Sequence, residues 1–316
     1  MEDIIAPVPK ELLKAELTVD KRLRFTRRSD NEIYVVTAHE APNVMREIGR
    51  LREIAFRAAG GGTGKDVDID EYDTMEVPYK QLIVWNPENY DIIGGYRFIY
   101  GSDMRYDENG MPMIATAHGM FRFSDKFMKD YLPYTVELGR AFVALEYQST
   151  RMGSKSLFAL DNLWDGLGAL AVVLPGMKYY FGKVTMYPSY PVDARNVILY
   201  FLREQFPDKD KLVEPIEPLV PGGDETAFKS LFCYDNYKDN YYALKQEVQK
   251  SGVTIPPMVS AYMGLSATMR IFGTAINYGF GNVEETGLLI AVDELLEEKR
   301  KRYIESFINS NPDAVK

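Results

Sequence analysis

Two kinds of residue in YTVELGRAFVALEYQSTRMGSKSLFALDNLWDGLGAL, from Tyr134 to Leu170, are suited to chemistry. Glu137 is a carboxylate in a largely apolar strand, a costly place for a charge unless it is paired or put to use. The turn that follows offers Gln148, Arg151, Gly153, Ser154 and Lys155. Glycine admits close backbone approach, hydroxyls suit a helix cap, and arginine and lysine supply charge for a phosphate. A strand ending in such a turn before a helix presents N–H groups that hold a phosphate or a developing oxyanion. The combination points to group transfer from a phosphate-bearing carrier. It is not a Walker loop, because the glycine spacing and the Gly-Lys-Ser/Thr ending are absent.

Other candidates precede this stretch. Arg52 and Phe56 lie four apart and share a helix face, a spacing that also suits a snorkelling arginine beside a core aromatic. Asp70 and Asp73 flank Glu71 and Tyr72 in a loop; taken alone they read as a solvated acidic turn, and the spacing lacks a calcium loop's ligand pattern. Arg97 follows two glycines inside a strand, which either marks close approach of a ligand or leaves the arginine facing solvent. Glu137 and Arg140 are three apart on one strand, so they face opposite ways unless the strand is bulged, and Gly139 is the expected place. Glu146 fits a solvated strand end.

The elements that must position these residues alternate between helix and strand. A helical lead (Lys10 to Leu17) precedes the basic run KRLRFTRR, then a strand at Glu32 to Ala38. His39 to Ala59 has the periodicity of an amphipathic helix and stops at the glycine cluster Gly60 to Gly62. Strands follow at Gln81 to Trp85, Ile92 to Tyr100 and from Tyr134, then the helix after the polar turn, and a strand at Lys178 to Tyr187. Pro191 to Phe206 reads as a helix with proline in its first turn. Pro207 to Pro221 reads as a surface connection, Ala227 to Lys250 as moderately helical, and Pro257 to Ile271 as a short helix. A strand at Thr286 to Val292 and a helix ending near Phe307 complete the pattern. The expected organisation is a lead over residues 1–30 and one α/β domain over 31–316, with a C-terminal elaboration from about 205.

Composition bounds the function. The chain of 316 residues is 46% hydrophobic and 26% charged, with Tyr 22 and Phe 16, enough for a sizeable core or an apolar ligand groove. A net charge of −9 argues against general nucleic-acid binding. The single Cys233 excludes an internal disulfide and a cysteine-based metal cluster, and His39 and His118 are too few for a multi-histidine site. The N-terminus lacks an apolar signal core, and no run approaches the roughly 18 consecutive apolar residues of a membrane span. A cytoplasmic protein is expected, with peripheral contact at the inner membrane left open.

Four motifs in order resemble the GNAT-like branch that holds acyl-homoserine-lactone synthases and ornithine-type lipid N-acyltransferases. They are RLREIAF with Arg52 and Phe56, DEYD with Asp70 and Asp73, GGYR with Gly94 and Arg97, and ELGR with Glu137 and Arg140. IPPMVSAYMGLSA, from Ile255 to Ala267, resembles a segment of the lipid acyltransferases. The runs ALDNLWDGLGAL and FGNVEETGLLI look like glycine N-acyltransferases of the Bacteroides type, some of which carry hemolysin names. The resemblance covers roughly Ile33 to Phe307. It implies a GNAT-like mixed central sheet flanked by helices, and an N-acyltransferase of aminolipid biosynthesis. Its donor would be a long-chain, optionally 3-hydroxylated, acyl group on acyl carrier protein, with acyl-CoA as the alternative co-substrate. Neither a bound cofactor nor a metal is implied. The usual Gln/Arg-x-x-Gly-x-Gly/Ala loop has Arg151 at its first glycine position here, which would crowd a coenzyme A pyrophosphate and so favours carrier protein.

On this resemblance Glu137, or a water it orders, takes the proton of an amino-acid ammonium, most readily glycine's, and a backbone N–H of the splayed strand holds the oxyanion. Arg52, Phe56, Asp70, Asp73 and Arg97 would bind substrate, with Arg97 or Arg140 on its carboxylate. Gln148, Arg151, Gly153, Ser154 and Lys155 would bind the pantetheine arm. Docking an acidic carrier protein onto an acidic chain needs a local basic patch. Arg151, Lys155, Lys178 and Lys183 are one candidate, and KRLRFTRR is another, for carrier protein or anionic lipid. The rivals are ornithine or another amine as acceptor, lactone synthesis from S-adenosylmethionine, and a non-catalytic lipid-binding subunit.

Overall fold

A computed structural model describes residues 1–117, 119–148 and 158–312. Eight strands make one sheet: β1 (Arg22–Phe25), β2 (Glu32–Val36), β3 (Lys80–Asn86), β4 (Asp91–Tyr100), β6 (Thr135–Val143), β7 (Tyr179–Met186), β9 (Arg270–Asn277) and β10 (Val283–Ala291). Their order across the sheet is β1-β2-β3-β4-β6-β7-β10-β9. Neighbours run antiparallel except β6 and β7, which are parallel. A parallel pair needs a long crossover, and the helix after the polar turn supplies it. β5 (Phe121–Phe123) and β8 (Val213–Pro215) form a separate small pair.

The helices are α1 (Lys10–Glu16), α2 (Pro42–Ala59), the single turn α3 (Glu71–Thr74), α4 (Ala159–Val173), α5 (Val192–Gln205), α6 (Glu225–Leu231), α7 (Tyr237–Lys250) and α8 (Pro257–Met263). A C-terminal helical run, Glu297 to Ser310, has a π-turn at Lys301–Glu305. α2 buries Val44, Met45, Ile48, Ala55 and Phe56 along one stripe and ends at Gly60, whose φ of 96° satisfies the helix end without a Cβ penalty. α4, α5, α7, α8 and the C-terminal run cover one sheet face, onto which Leu82, Phe98, Val136, Leu138 and Tyr180 point. The opposite face carries two apolar clusters. α2 packs on Ile83, Trp85 and Phe142, while the segment between β4 and β6 brings Ile114, Phe121 and Phe127 onto Ile99 and Phe181.

Three elements differ from the sequence expectation. The basic run contains β1, an edge strand paired with β2, so the lead is part of the sheet. The connection after α5 contains β8, because Leu212 and Val213 are apolar enough to be buried under β5. The segment read as one helix from Pro257 to Ile271 ends at Met263 and leads to β9. β9 and β10 lie in the same sheet as the candidate residues, so chain beyond residue 205 builds the central layer as well as its cover.

Candidate active site

The site is built from alternation. On β3, β4 and β6 the residues Gln81, Arg97 and Gly139 are in register across the sheet and share the face between the two apolar clusters. The register slips between β4 and β6, with Gly95 opposite Phe142 and Arg97 opposite Gly139, so β6 carries one extra residue. The extra residue is Arg140, at φ 47°, in the left-handed region. The expected bulge therefore exists, but the unusual backbone belongs to Arg140 while Gly139 keeps an ordinary φ. The bulge restores phase, so Arg140 and Glu137 project from one face. It also explains Gly94: a Cβ there would sit 2.5 Å from the Phe142 carbonyl oxygen.

Three arginines and three aspartates interlock on this face. Arg52 is fully buried, not snorkelling; Nη1 lies 3.3 Å from Asp73, and Nη2 donates to Gln81 Oε1. Gln81 Nε2 in turn donates to Asp73 at 2.9 Å. Arg97 Nη1 donates to both Asp70 oxygens, at 2.7 and 2.8 Å, and lies 3.3 Å from Asp73. Arg140 pairs with Asp68 at 2.8 Å, lies 3.6 Å from Asp70, and stacks 4.2 Å from the Phe280 ring centroid. Phe56 meets the same Phe280 edge-on at 5.1 Å. The turn expected to be solvated is thus largely internal: Asp73 is buried and Asp70 caps α3. Burial opposes ionisation of Asp73, but the charges of Arg52 and Arg97 outweigh it and hold its pKa below the ordinary value. Arg97 stays charged for the same reason, with Asp73 and Asp70 overcoming its burial.

Glu137 lies beside this network and is 2% exposed. Tyr79 Oη donates to its Oε2, and the Thr116 N–H donates to Oε1 at 2.9 Å. Tyr79 Oη itself accepts from the Ala115 N–H at 2.9 Å, and its ring lies 5.2 Å from the Arg97 guanidinium. Burial raises the Glu137 pKa above the ordinary carboxylate value; the Tyr79 hydrogen bond, Lys183, Arg97 and the Thr116 N–H offset part of this. Tyr79, pushed far above the usual phenol value by burial and by Glu137, remains a donor.

The β6–β7 ladder pairs Thr135 with Tyr179, Val136 with Tyr180 and Glu137 with Phe181, and ends there. Beyond that point β7 stays paired with β10, and β6 with β4, through the bulge. Gly182 still lies against the Leu138 carbonyl, and the two strands part just beyond it, opening a cleft between Gly139–Arg140 and the second half of β7. Cavities of about 160 and 140 Å³ lie elsewhere, one beside Tyr131, Tyr179 and Arg270 and one between α7 and α8.

Gln148 Nε2 donates to the Val143 carbonyl at 2.6 Å, tying the turn's start to the end of β6. Arg151, Gly153, Ser154 and Lys155 lie outside the described residues. Glu146 is exposed, as expected.

Of the candidate basic residues, Lys183 and part of the basic run are engaged internally, while Lys178 and Arg28 are exposed. Lys183 is only 14% exposed and pairs with Glu285 at 2.6 Å, so it is no surface cation. Lys178 sits over the Tyr134 ring at 4.5 Å. In the basic run, Arg22 pairs with Glu32 at 2.6 Å, Arg24 donates to the Asp165 and Tyr303 carbonyls, and Arg27 pairs with Asp165 at 2.7 Å. That run fastens the lead to α4 and the C-terminal helix. Arg28 stacks on Phe158, 4.7 Å away, at the foot of the turn.

Sequence reasoning missed Asp68, Tyr79, Gln81, Thr116 and the Lys183–Glu285 pair. Alternation could have found two of them. Tyr79 and Gln81 enter an apolar strand at period two, and adjacent Glu284 and Glu285 on one strand must face opposite ways. Glu284 meets Arg195 on the helical face, and Glu285 meets Lys183 on the other.

Residues 51–156 match the acetyltransferase (GNAT) domain. Over all 316 residues the chain is 66% identical to the glycine N(alpha)-acyltransferase of Phocaeicola vulgatus, covering 97% of it. It is also 66% identical to that of Bacteroides thetaiotaomicron, covering 94%. Among solved structures, a CoA-dependent acyl-homoserine lactone synthase, BjaI, with S-adenosylmethionine and isopentyl-CoA aligns over 89% of each chain at 11% identity and TM-score 0.37.

Proposed function

The chain belongs to the glycine N-acyltransferase family, and from that premise we propose that it moves a long-chain acyl group from the thioester of acyl carrier protein to the amine of glycine, as a step in aminolipid biosynthesis. The observation that carries this reading is the parting of β6 and β7 just past Glu137. A thioester entering between the strands would place its carbonyl carbon beside a buried carboxylate.

The ammonium of glycine has no lone pair, so its proton must leave first. Glu137 accepts it, directly or through an ordered water, and its raised pKa brings it nearer the acidity of the group it deprotonates. Two neutral donors leave the carboxylate oxygens further lone pairs for that proton. The amine then attacks the carbonyl, the C–N bond forms, a backbone N–H of β6 beyond the parting holds the oxyanion, and the C–S bond breaks; the nitrogen gives up its extra proton, the departing thiolate gains one, and amide and carrier thiol result, Glu137 returning its own proton to solvent. Thr116 Oγ1, buried beside Glu137 without a hydrogen-bond partner among the described residues, is suited to holding the relaying water. The interlocked arginines and aspartates serve as the rigid wall that fixes this geometry. Arg151, at the position where a glycine would admit a pyrophosphate, supports carrier protein over coenzyme A as donor.

The test is incubation with acyl-carrier protein and with acyl-CoA, each against a panel of amino acids, with products read by mass. N-acylglycine and stoichiometric free carrier thiol are expected. Release of lactone and methylthioadenosine with S-adenosylmethionine would replace this reading by lactone synthesis. No thiol release with any amine would leave a binding protein.

A further inference from the structure

Among the described residues, Lys183 is a cation on the catalytic face that stands outside the arginine network and pairs with Glu285 instead. It rises from β7 two residues past Phe181, the last residue paired with β6, and therefore stands across the cleft from Glu137 and Gly139. Alternation puts it on the same face as Phe181, Glu137 and Arg97. Its charge reaches Glu137 strongly enough to favour the ionised carboxylate. Its partner on β10 is Gly287, over which the Phe121 ring and Phe272 pack. An ammonium carries three donors. It forms an ion pair with Glu285 at 2.6 Å, and its hydrogen bond goes to the Met120 sulfur at 3.6 Å, a weak acceptor. Glu285, 4% exposed, is its counter-ion in this apolar setting.

The arginines are differently placed. Asp70 and Asp73 neutralise Arg97, Asp68 and Asp70 neutralise Arg140, and Arg97 Nε is buried against Gly139. An incoming carboxylate there would meet the charges of two aspartates, against the single carboxylate of Glu285 at Lys183.

We propose that Lys183, held by Glu285, is the binding site for the carboxylate of the amino-acid acceptor, with the acceptor amine turned toward Glu137 on the opposite wall of the cleft. This rests on the N-acyltransferase reading and adds the group that tells an amino acid from a simple amine. Glu285 is a positioning residue in this arrangement. Selectivity follows from chemistry: a neutral amide in place of the carboxylate loses a charge-assisted hydrogen bond to a partly desolvated ammonium.

The experiment compares glycine with glycinamide as acceptors for the full-length enzyme, its Lys183→Met variant and its Lys183→Arg variant. In the wild type, kcat/KM favours glycine. In Lys183→Met the KM for glycine rises by about tenfold or more, the KM for the acyl donor stays within about twofold, and the preference for glycine disappears. Lys183→Arg keeps the preference. A Lys183→Met enzyme that still prefers glycine as the wild type does would overturn the assignment while leaving the N-acyltransferase reading intact. A wild type that acylates neither compound would remove that reading, and this one with it. Should Lys183→Met not fold, acetic anhydride labelling of the wild type decides: glycine shields Lys183 in the peptide mass spectrum and glycinamide does not. Equal labelling with and without glycine overturns the proposal.

Discussion

Tyr79 donates its hydroxyl hydrogen to Glu137 Oε2 while the same oxygen accepts the Ala115 N–H, so the phenol hydroxyl is fixed as a donor to the carboxylate. That bond favours the ionised acid and works against burial. Removing it in Tyr79→Phe should raise the Glu137 pKa and move the acidic limb of the kcat profile to higher pH. A variant whose limb stays in place would show that Glu137 is not the titrating base. Glu137→Gln itself should lower kcat by roughly 10²–10⁴-fold, the usual contribution of a general base.

The same carboxylate has a signature in stability. Its folded pKa lies above the unfolded value near 4.5, so its protonated form is the better fit. The stability it contributes is full below that value and is lost as pH rises through the folded pKa. Glu137→Gln, uncharged at every pH, should therefore gain stability relative to the wild type between acidic and neutral pH. Asp73 has the opposite sign. Its folded pKa is depressed, so its contribution is present above the unfolded value of 3.8 and lost as pH falls through the folded one. Asp73→Asn should cost most at neutral pH and least in acid, read as urea midpoints across pH.

Arg52 and Asp73 are both fully buried and meet at 3.3 Å. Taking away the cation alone strands a carboxylate in the core. Arg52→Met is expected to cost about 3–5 kcal/mol of unfolding free energy in urea melts. The double variant Arg52→Met, Asp73→Asn should recover part of that loss. Additive losses would mean the two charges do not interact.

Arg140 combines a left-handed backbone with a packed, paired side chain. Alanine and glycine both remove the side chain, but only glycine adopts φ 47° without penalty. Arg140→Gly should be more stable than Arg140→Ala by about 1–2 kcal/mol, measured by thermal unfolding. Equal stabilities would mean that the bulge relaxes once the side chain is gone.

Much of the site was legible because its residues are chemically improbable where they stand. Glu137 in an apolar strand and Arg97 after two glycines are polar interruptions of local patterns, and local patterns are what a sequence displays. The four motifs in order added the family. Tyr79 and Asp68 went unread because each resembles its neighbours until a distant partner is known. Glu137 is 58 residues from Tyr79 and Asp68 is 72 from Arg140. Lys183 looked like a surface charge for the same reason; nothing near it in sequence reveals Glu285 on the adjacent strand.

Residue type and periodicity were enough to determine the helix and strand succession around the candidate site, the acidic, cysteine-poor character of the chain, and Glu137 as the carboxylate of interest. They also required a bulge or bend if Glu137 and Arg140 were to share a face, since unbroken alternation at period two puts them on opposite ones. Only the tertiary structure decided where the bulge falls. The backbone turns at Arg140 because Asp68, Asp70 and Phe280 hold that side chain in place, interactions whose combined strength depends on elements far apart in the chain. It also decided that β6 and β7 part just past Glu137, and which charges cancel inside the fold, the Lys183–Glu285 pair among them. Such outcomes depend on strand order and register, and these are set by packing across the whole sheet.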